Sequence, residues 1–144
     1  MLAACQGGMA FSNSSVCLVH GMSRPIGALY HVPHGLSNAV LFPTVVEFSL
    51  PGAPERYANI SRTMGYALEK DADEEAGIAL VEGLRQLNKK LGIPRLGECV
   101  KVSRGFFDET VEKMARDGWA SGSQNNNPIV PDVGQIIELY HKCW

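Results

Sequence analysis

The apolar residues in the second half of the chain recur at the spacing of an α-helix. Leu80, Leu84, Leu87 and Leu91 fall at offsets of 0, 4, 7 and 11, which places them on one face at about 3.6 residues per turn. The period-two alternation that indicates a β-strand is nearly absent from the sequence. The pattern therefore predicts an all-α fold, most simply a bundle of short helices.

Glycine, proline and capping residues predict where the later helices begin and end. Helices are expected over 53–64, over 71–91, from the cap Ser103 to about 116, and from Pro131 onward, with a loop over 118–131. The residues expected to face inward from the last two helices are Phe106 or Phe107, Val111, Met114, Ile136 or Ile137, Tyr140 and Cys143.

Size and charge restrict the classes of function. A chain of 144 residues is expected to form a single domain, and its formal net charge of −2 argues against a nucleic-acid binder. No apolar run approaches the ~20 residues that span a bilayer, so no membrane association is expected. The N-terminus lacks a signal-peptide pattern, and the four cysteines form no C-x-x-C pair. We therefore expect reduced thiols in a cytoplasmic protein.

Three of the four histidines lie within fifteen residues, in a segment rich in glycine and proline. On one straight helix His20 and His34 would be about 21 Å apart, too far to bind one ion. The prolines between them predict a return of the chain, with His20 late on one helix and His34 in the first turn of the next, after Pro33. His31 is a possible third ligand, but we expect it to point into a cleft. Spacing alone leaves two alternatives open, a metal half-site and structural histidines.

The segment that contains these histidines resembles the signature region of the iron-containing (group III) alcohol dehydrogenases. The fourteen-residue spacing of His20 and His34 is that of the family, and the match continues to the Asn127–Pro128 pair and the end of the chain. The residues that carry the match are Gly8–Met9–Ala10–Phe11–Ser12–Asn13, His20–Gly21–Met22, Pro25, Gly27, Pro33–His34–Gly35, Asn38–Ala39 and Pro43.

The resemblance implies a specific place in a larger enzyme. In this family a nucleotide-binding α/β domain precedes a helical domain, and a divalent metal (Fe or Zn) held by one Asp and three His polarises an alcohol for hydride transfer to NAD or NADP. His20 and His34 match the last two histidine ligands. The earlier D-x-x-x-H motif and a glycine-rich phosphate loop do not occur here. Residues 1–144 thus resemble the C-terminal part of the helical metal-binding domain, with the signature in residues 1–50 and the nucleotide domain absent.

Two further residues are assigned to the cleft by the resemblance. Arg24 stands where many members have a histidine beside the nicotinamide, and arginine cannot shuttle protons near neutral pH. It could hold an anionic substrate group or a cofactor phosphate, or pair with an acid. His31 falls at a variable position that faces the cleft, which permits a substrate-pocket role. His141 is expected to be structural, and no catalytic residue beyond the metal ligands is assigned.

Two functions from different classes follow. The first is part of a metal- and NAD(P)-dependent alcohol dehydrogenase, for which a missing N-terminal nucleotide-binding half would be the partner. NAD(P) is not expected to bind this chain alone, and we expect the chain alone to be inactive. The second is a non-catalytic helical module that self-associates as a homo-oligomer, because helices cut from their neighbours expose apolar faces. Metal could then bridge the histidines of two copies.

Overall fold

The computed structural model describes residues 1–144 and contains helices and turns but no β-strand, which confirms the all-α prediction. The α-helices are α1 (Leu2–Ser14), α2 (Leu18–Tyr30), α3 (His34–Ser49), α4 (Pro54–Thr63), α5 (Asp73–Lys90), α6 (Leu96–Val100), α7 (Arg104–Ala120) and α8 (Val133–Cys143). Short 3-10 turns occupy Leu50–Gly52 and Ser123–Asn126. None of the helices has the length and apolar character needed to cross a membrane.

Local capping sets the ends of the C-terminal helices. The Ser103 hydroxyl accepts a hydrogen bond from the Phe106 N–H at 3.2 Å, so Ser103 caps α7 as predicted. Asp132 rather than Pro131 caps α8, in a reciprocal capping box with Gln135. The predicted loop over 118–131 is wrong in its first half, because α7 continues to Ala120 and a 3-10 turn follows.

The main hydrophobic core lies between α2, α3, α6, α7 and α8 and contains 18 buried residues. Phe107 and Ile136 are fully buried in it, which resolves the two alternatives that the helical spacing left open. The Tyr140 hydroxyl donates to the Met22 carbonyl at 2.6 Å, so a polar group inside the core is satisfied across two helices. Burial raises the pKa of Tyr140, and the phenol therefore stays neutral at physiological pH.

A smaller core joins α5 to α3 and α4. Leu80 and Leu84 are buried there beside Val46, as the periodicity predicts. Leu87 and Leu91 lie on the same face but are 38% and 65% exposed. The four leucines thus share one face of the helix, as predicted, but only Leu80 and Leu84 are buried.

A proline inside a helix leaves one backbone carbonyl without an intrahelical donor, and another element can then hydrogen-bond to it. Pro43 lies within α3, yet the helix is continuous from His34 to Ser49. A proline has no N–H to bond the carbonyl four residues earlier. The freed Ala39 carbonyl accepts instead from the Asn88 amide of α5 at 2.7 Å. The proline of α3 thus frees a backbone carbonyl that accepts a hydrogen bond from α5.

The first helix stands apart from both cores. Helix α1 buries none of its residues, and Met9 and Phe11 are 65% and 54% exposed. Ser15, which ends the helix, adopts a positive φ of 65° with ψ of 179°, a conformation that non-glycine residues rarely take. Helix α1 therefore presents an apolar surface that the chain itself leaves uncovered.

Candidate metal-binding site

The two signature histidines meet at one end of the α2–α3 pair. The His34 Nε2 and His20 Nδ1 atoms are 3.2 Å apart, and the ring centroids are 5.0 Å apart. His34 opens α3 directly after Pro33, as predicted. His20, however, lies in the first turn of α2 rather than late on a helix. The helix runs through Pro25 and ends only at Tyr30, and His31 in the left-handed region begins the return that brings His34 back.

A buried serine orients one of the two rings. Ser23 is fully buried, and its hydroxyl donates to the His20 carbonyl at 3.2 Å. The same oxygen lies 3.3 Å from the Nδ1 atom of His34. Because the hydroxyl proton is used on the carbonyl, the serine oxygen accepts from Nδ1–H of His34. This assigns the tautomer in which the Nε2 lone pair faces His20.

The electrostatics keep the other ring neutral. The pKa of His20 is lowered first by burial, then by the nearby charge of His34 and then by the charge of Arg24. A neutral imidazole has a free nitrogen lone pair, which is the form that binds a metal. The chemistry of the His20 ring is therefore that of a ligand rather than of a cation.

The distance between the rings suits a shared ion. Two nitrogens that each bind one tetrahedral metal at about 2.0–2.1 Å lie about 3.4 Å from each other, close to the 3.2 Å observed between His20 and His34. The Asn38 amide nitrogen also lies 3.0 Å from the His34 Nε2 atom, so this lone pair already faces a donor. No cluster of three or more His, Cys, Asp or Glu side chains is present. The residues thus fit two ligand positions, which is half of a metal site.

The other three residues considered in the sequence analysis are Arg24, His31 and His141. The Arg24 side chain is exposed and lies 3.5 Å from the Ser123 hydroxyl, measured from Nη1. His31 is exposed and is not brought into contact with His20 or His34; it lines a shallow groove with Glu98. His141 is far along the chain, where its Nδ1 atom lies 2.7 Å from the Arg104 guanidinium and its ring packs against Phe107.

Three residues of the site are missing from the sequence prediction. Ser23 could have been found, because it lies three residues after His20 and thus on the same side of α2. Asn38 follows His34 by four residues and could have been found in the same way. Ser123 reaches Arg24 from 99 residues away, and no local pattern indicates that contact.

Comparison with known proteins identifies the family of the chain. The family model described as the C-terminal region of the Fe-containing alcohol dehydrogenase family matches residues 1–144. The chain is 38% identical over 137 residues to the lactaldehyde reductase of Escherichia coli (strain K12), which covers 95% of this chain and 35% of that protein. It is 33% identical over 144 residues to an alcohol dehydrogenase of Thermococcus barophilus, covering 99% of this chain and 35% of that protein.

Solved structures show the same helical arrangement. The crystal structure of a 1,3-propanediol oxidoreductase superposes with a TM-score of 0.87 at 28% identity, over 95% of this chain and 35% of that one. The iron-containing alcohol dehydrogenase of Thermococcus thioreducens superposes with a TM-score of 0.81 at 36% identity, over 99% and 35% of the two chains. This chain thus spans about a third of the length of the relatives it matches. It belongs to the Fe-containing alcohol dehydrogenase family and corresponds to the C-terminal helical region of that family.

Proposed function

We propose that this chain supplies the C-terminal half of the metal site of an alcohol dehydrogenase, with His20 and His34 as two of the ligands. The observation that carries the proposal is the 3.2 Å approach of two imidazole nitrogens from separate helices. The metal would be a divalent ion such as Fe or Zn, since imidazole suits both. The reaction would be oxidation of an alcohol, or reduction of an aldehyde, with NAD(P).

Four side chains of this chain have a definite part in such a site. A bound divalent metal supplies Lewis acidity toward the alcohol oxygen. His20 and His34 offer it two nitrogens, and Ser23 holds the His34 ring in the tautomer that leaves Nε2 free. Arg24 places a permanent positive charge one helical turn from His20. This chain has no β-strand and no glycine-rich turn of the kind that binds a dinucleotide.

The cofactor would therefore come with a nucleotide-binding partner. Helix α1 carries part of the family signature and leaves Met9 and Phe11 exposed, so it is the surface we assign to contact with that partner. Completion of the ligand set requires groups from the same source, because only two ligands are present here. We place the assembled protein in the cytoplasm, where reduced cysteines are expected.

Metal retention tests the proposal. After loading with Zn(II) or Fe(II) and dialysis, we expect the chain to keep metal and His34→Ala to lose it. Loss of an outer-shell partner typically costs about 10–100-fold in metal affinity, so loss of a ligand should cost about 100-fold or more. The measurement is elemental analysis together with a metal titration.

A matched variant controls for a general effect of removing histidine. His31→Asn removes an exposed imidazole three residues earlier, and asparagine tolerates the left-handed backbone at that position, where φ is 57°. We expect His31→Asn to retain metal like the unaltered chain. Equal metal content in the His34→Ala and unaltered chains would overturn the proposal.

A second candidate function rests on helix α1. The exposed apolar residues of this helix favour a module that self-associates through it. Two copies would bring four histidines together, and a retained ion would then be found once per two chains.

Light scattering tests this second candidate. We expect the chain alone to form a dimer or a larger species, and Phe11→Glu to shift it toward monomer because a charge in an apolar contact is costly. Leu91→Glu is the control, since Leu91 is also 65% exposed but lies at the C-terminal end of α5. A monomeric unaltered chain would contradict self-association and leave the nucleotide-binding partner as the occupant of α1.

A further inference from the structure

Arg24 is a positive charge that faces the metal-binding histidines. It follows His20 by four residues on α2, so both side chains leave the same face of the helix, about 6 Å apart along its axis. The charge of Arg24 also contributes to lowering the pKa of His20. A group bound beside His20 is thus within the field of this guanidinium.

The guanidinium of Arg24 lacks a carboxylate partner within the chain. Arginines 62, 85, 104 and 116 each form an ion pair with an Asp or Glu. Arg24 forms none, and neither do Arg56 and Arg95, so what distinguishes Arg24 is its place one helical turn from His20. Its one side-chain hydrogen bond is the 3.5 Å contact with Ser123. A guanidinium has five N–H donors in a planar fork, so most of them remain free to bind a ligand.

The serine that contacts Arg24 is rigidly held. Ser123 is 6% exposed. The Ser121 hydroxyl donates to the Gly118 carbonyl at 2.6 Å, and its oxygen accepts from the Ser123 N–H at 3.3 Å. The hydroxyl oxygens of Ser121 and Ser123 lie 3.2 Å apart. The close approach of Gly21 and Gly118 fixes this turn against α2. Ser123 is therefore a rigid hydrogen-bond partner for the flexible Arg24 side chain.

We propose that Arg24, steadied by Ser123, binds an oxyanion at the far end of the substrate, so that the substrate is an alcohol or aldehyde bearing a carboxylate, sulfonate or phosphate. This inference rests on the proposed metal site. The guanidinium fork matches the oxygen geometry of these groups and can bind them in a bidentate manner. A substrate anion also offsets the repulsion between Arg24 and a divalent cation at the histidines.

The position of Arg24 favours the substrate over the cofactor as the source of the anion. One helical turn separates Arg24 from His20, so a substrate that spans the two would need only a short carbon chain between its reacting group and its anion. Arg24 also remains charged at every physiological pH and therefore cannot exchange a proton with the reacting alcohol. Arg24 can therefore take part only by binding a negatively charged group.

Binding of a matched pair of small molecules tests the inference. The full chain, loaded with Zn(II), is titrated with 3-hydroxypropionate and with 1,3-propanediol, which differ in one end group. The Arg24 Nε–H resonance and the dissociation constant are the readouts. We expect 3-hydroxypropionate to bind about tenfold or more tightly than 1,3-propanediol, since a hydrogen bond to a charged group is worth that factor.

Variants separate this inference from the proposed function. Arg24→Gln should bind the two compounds equally and retain zinc like the unaltered chain. Arg56→Gln removes the same charge from α4 and should keep the preference. Equal binding of the two compounds by the unaltered chain, or a preference that survives in Arg24→Gln, would overturn the inference while the metal site stands. Loss of zinc from the unaltered chain would overturn both.

A third probe identifies the source of the anion. Adenosine 2′-monophosphate carries the phosphate that distinguishes NADP from NAD. We expect it to bind equally to the unaltered and Arg24→Gln chains. Binding of this nucleotide that depends on Arg24, without a preference for 3-hydroxypropionate, would assign the arginine to the cofactor and overturn the substrate assignment.

Discussion

Replacing Phe107 with alanine is expected to lower the free energy of unfolding by about 3–5 kcal/mol, the usual cost of removing a fully buried aromatic ring. Phe107 is 0% exposed. Its ring centroid lies 4.3 Å from that of Trp144 and 5.7 Å from that of His141. The truncation therefore leaves a cavity between α7 and α8, and these helices form one side of the main core. Urea denaturation followed by circular dichroism measures the effect.

The neighbouring phenylalanine provides the matched control. Phe106 has the same side chain and lies in the same helical turn but is 45% exposed. We expect Phe106→Ala to cost under about 1 kcal/mol, because surface substitutions away from special contacts usually change stability little. Equal destabilisation by the two variants would contradict the assignment of Phe107 as the inward-facing residue.

Replacing Gly118 with valine is expected to destabilise the fold by about 1–3 kcal/mol or more, the cost of overpacking. A Cβ atom at this position would lie 2.9 Å from the carbonyl oxygen of Gly21. That oxygen belongs to the backbone of α2, so relief of the contact requires the two helices to separate. Pro25 has no N–H to bond this carbonyl, which leaves the oxygen facing α7.

The same substitution should also weaken ligand binding at the candidate site. Separation of α2 from α7 moves the turn that holds Ser123 away from Arg24, so Gly118→Val should weaken binding of 3-hydroxypropionate as well as stability. Gly105 is the control, since a Cβ atom there would meet nothing within 4 Å in the same helix. Gly105→Ala should be neutral or gain up to about 1 kcal/mol from helix propensity. Unchanged stability in Gly118→Val would contradict the close crossing.

The local elements of the fold are predictable because their signals are local. Helix α5 runs over Asp73–Lys90, within two residues of the predicted 71–91 at each end. Its acidic first turn and basic last turn suit the helix dipole. The cap of α7 at Ser103 is equally local, since the hydrogen bond to Phe106 spans three residues. Such features need no knowledge of the rest of the chain.

The errors arise where the neighbours of an element decide the outcome. Leu91 continues the apolar stripe of α5, yet it is 65% exposed, whereas Leu80 and Leu84 are buried. The 118–131 segment has the composition of a loop, but Ser123, Gln124 and Asn127 are buried there. Burial of polar side chains depends on partners distant in sequence, such as the Ser49 hydroxyl that accepts from Asn127 at 2.9 Å.

The candidate site likewise combines features that the sequence predicts with features that depend on helix packing. The sequence by itself determined the all-α class and the family, since helical period and motif spacing lie within short segments. It also predicted that His20 and His34 approach each other, although α2 continues through Pro25 instead of breaking there. Only the structure decided that His20 lies in the first turn of α2, that Ser23 orients His34, and that Ser123 reaches Arg24 across 99 residues. Those contacts depend on how helices cross, and the crossing of α2 with α7 depends on the fit of two glycine backbones that no local pattern encodes.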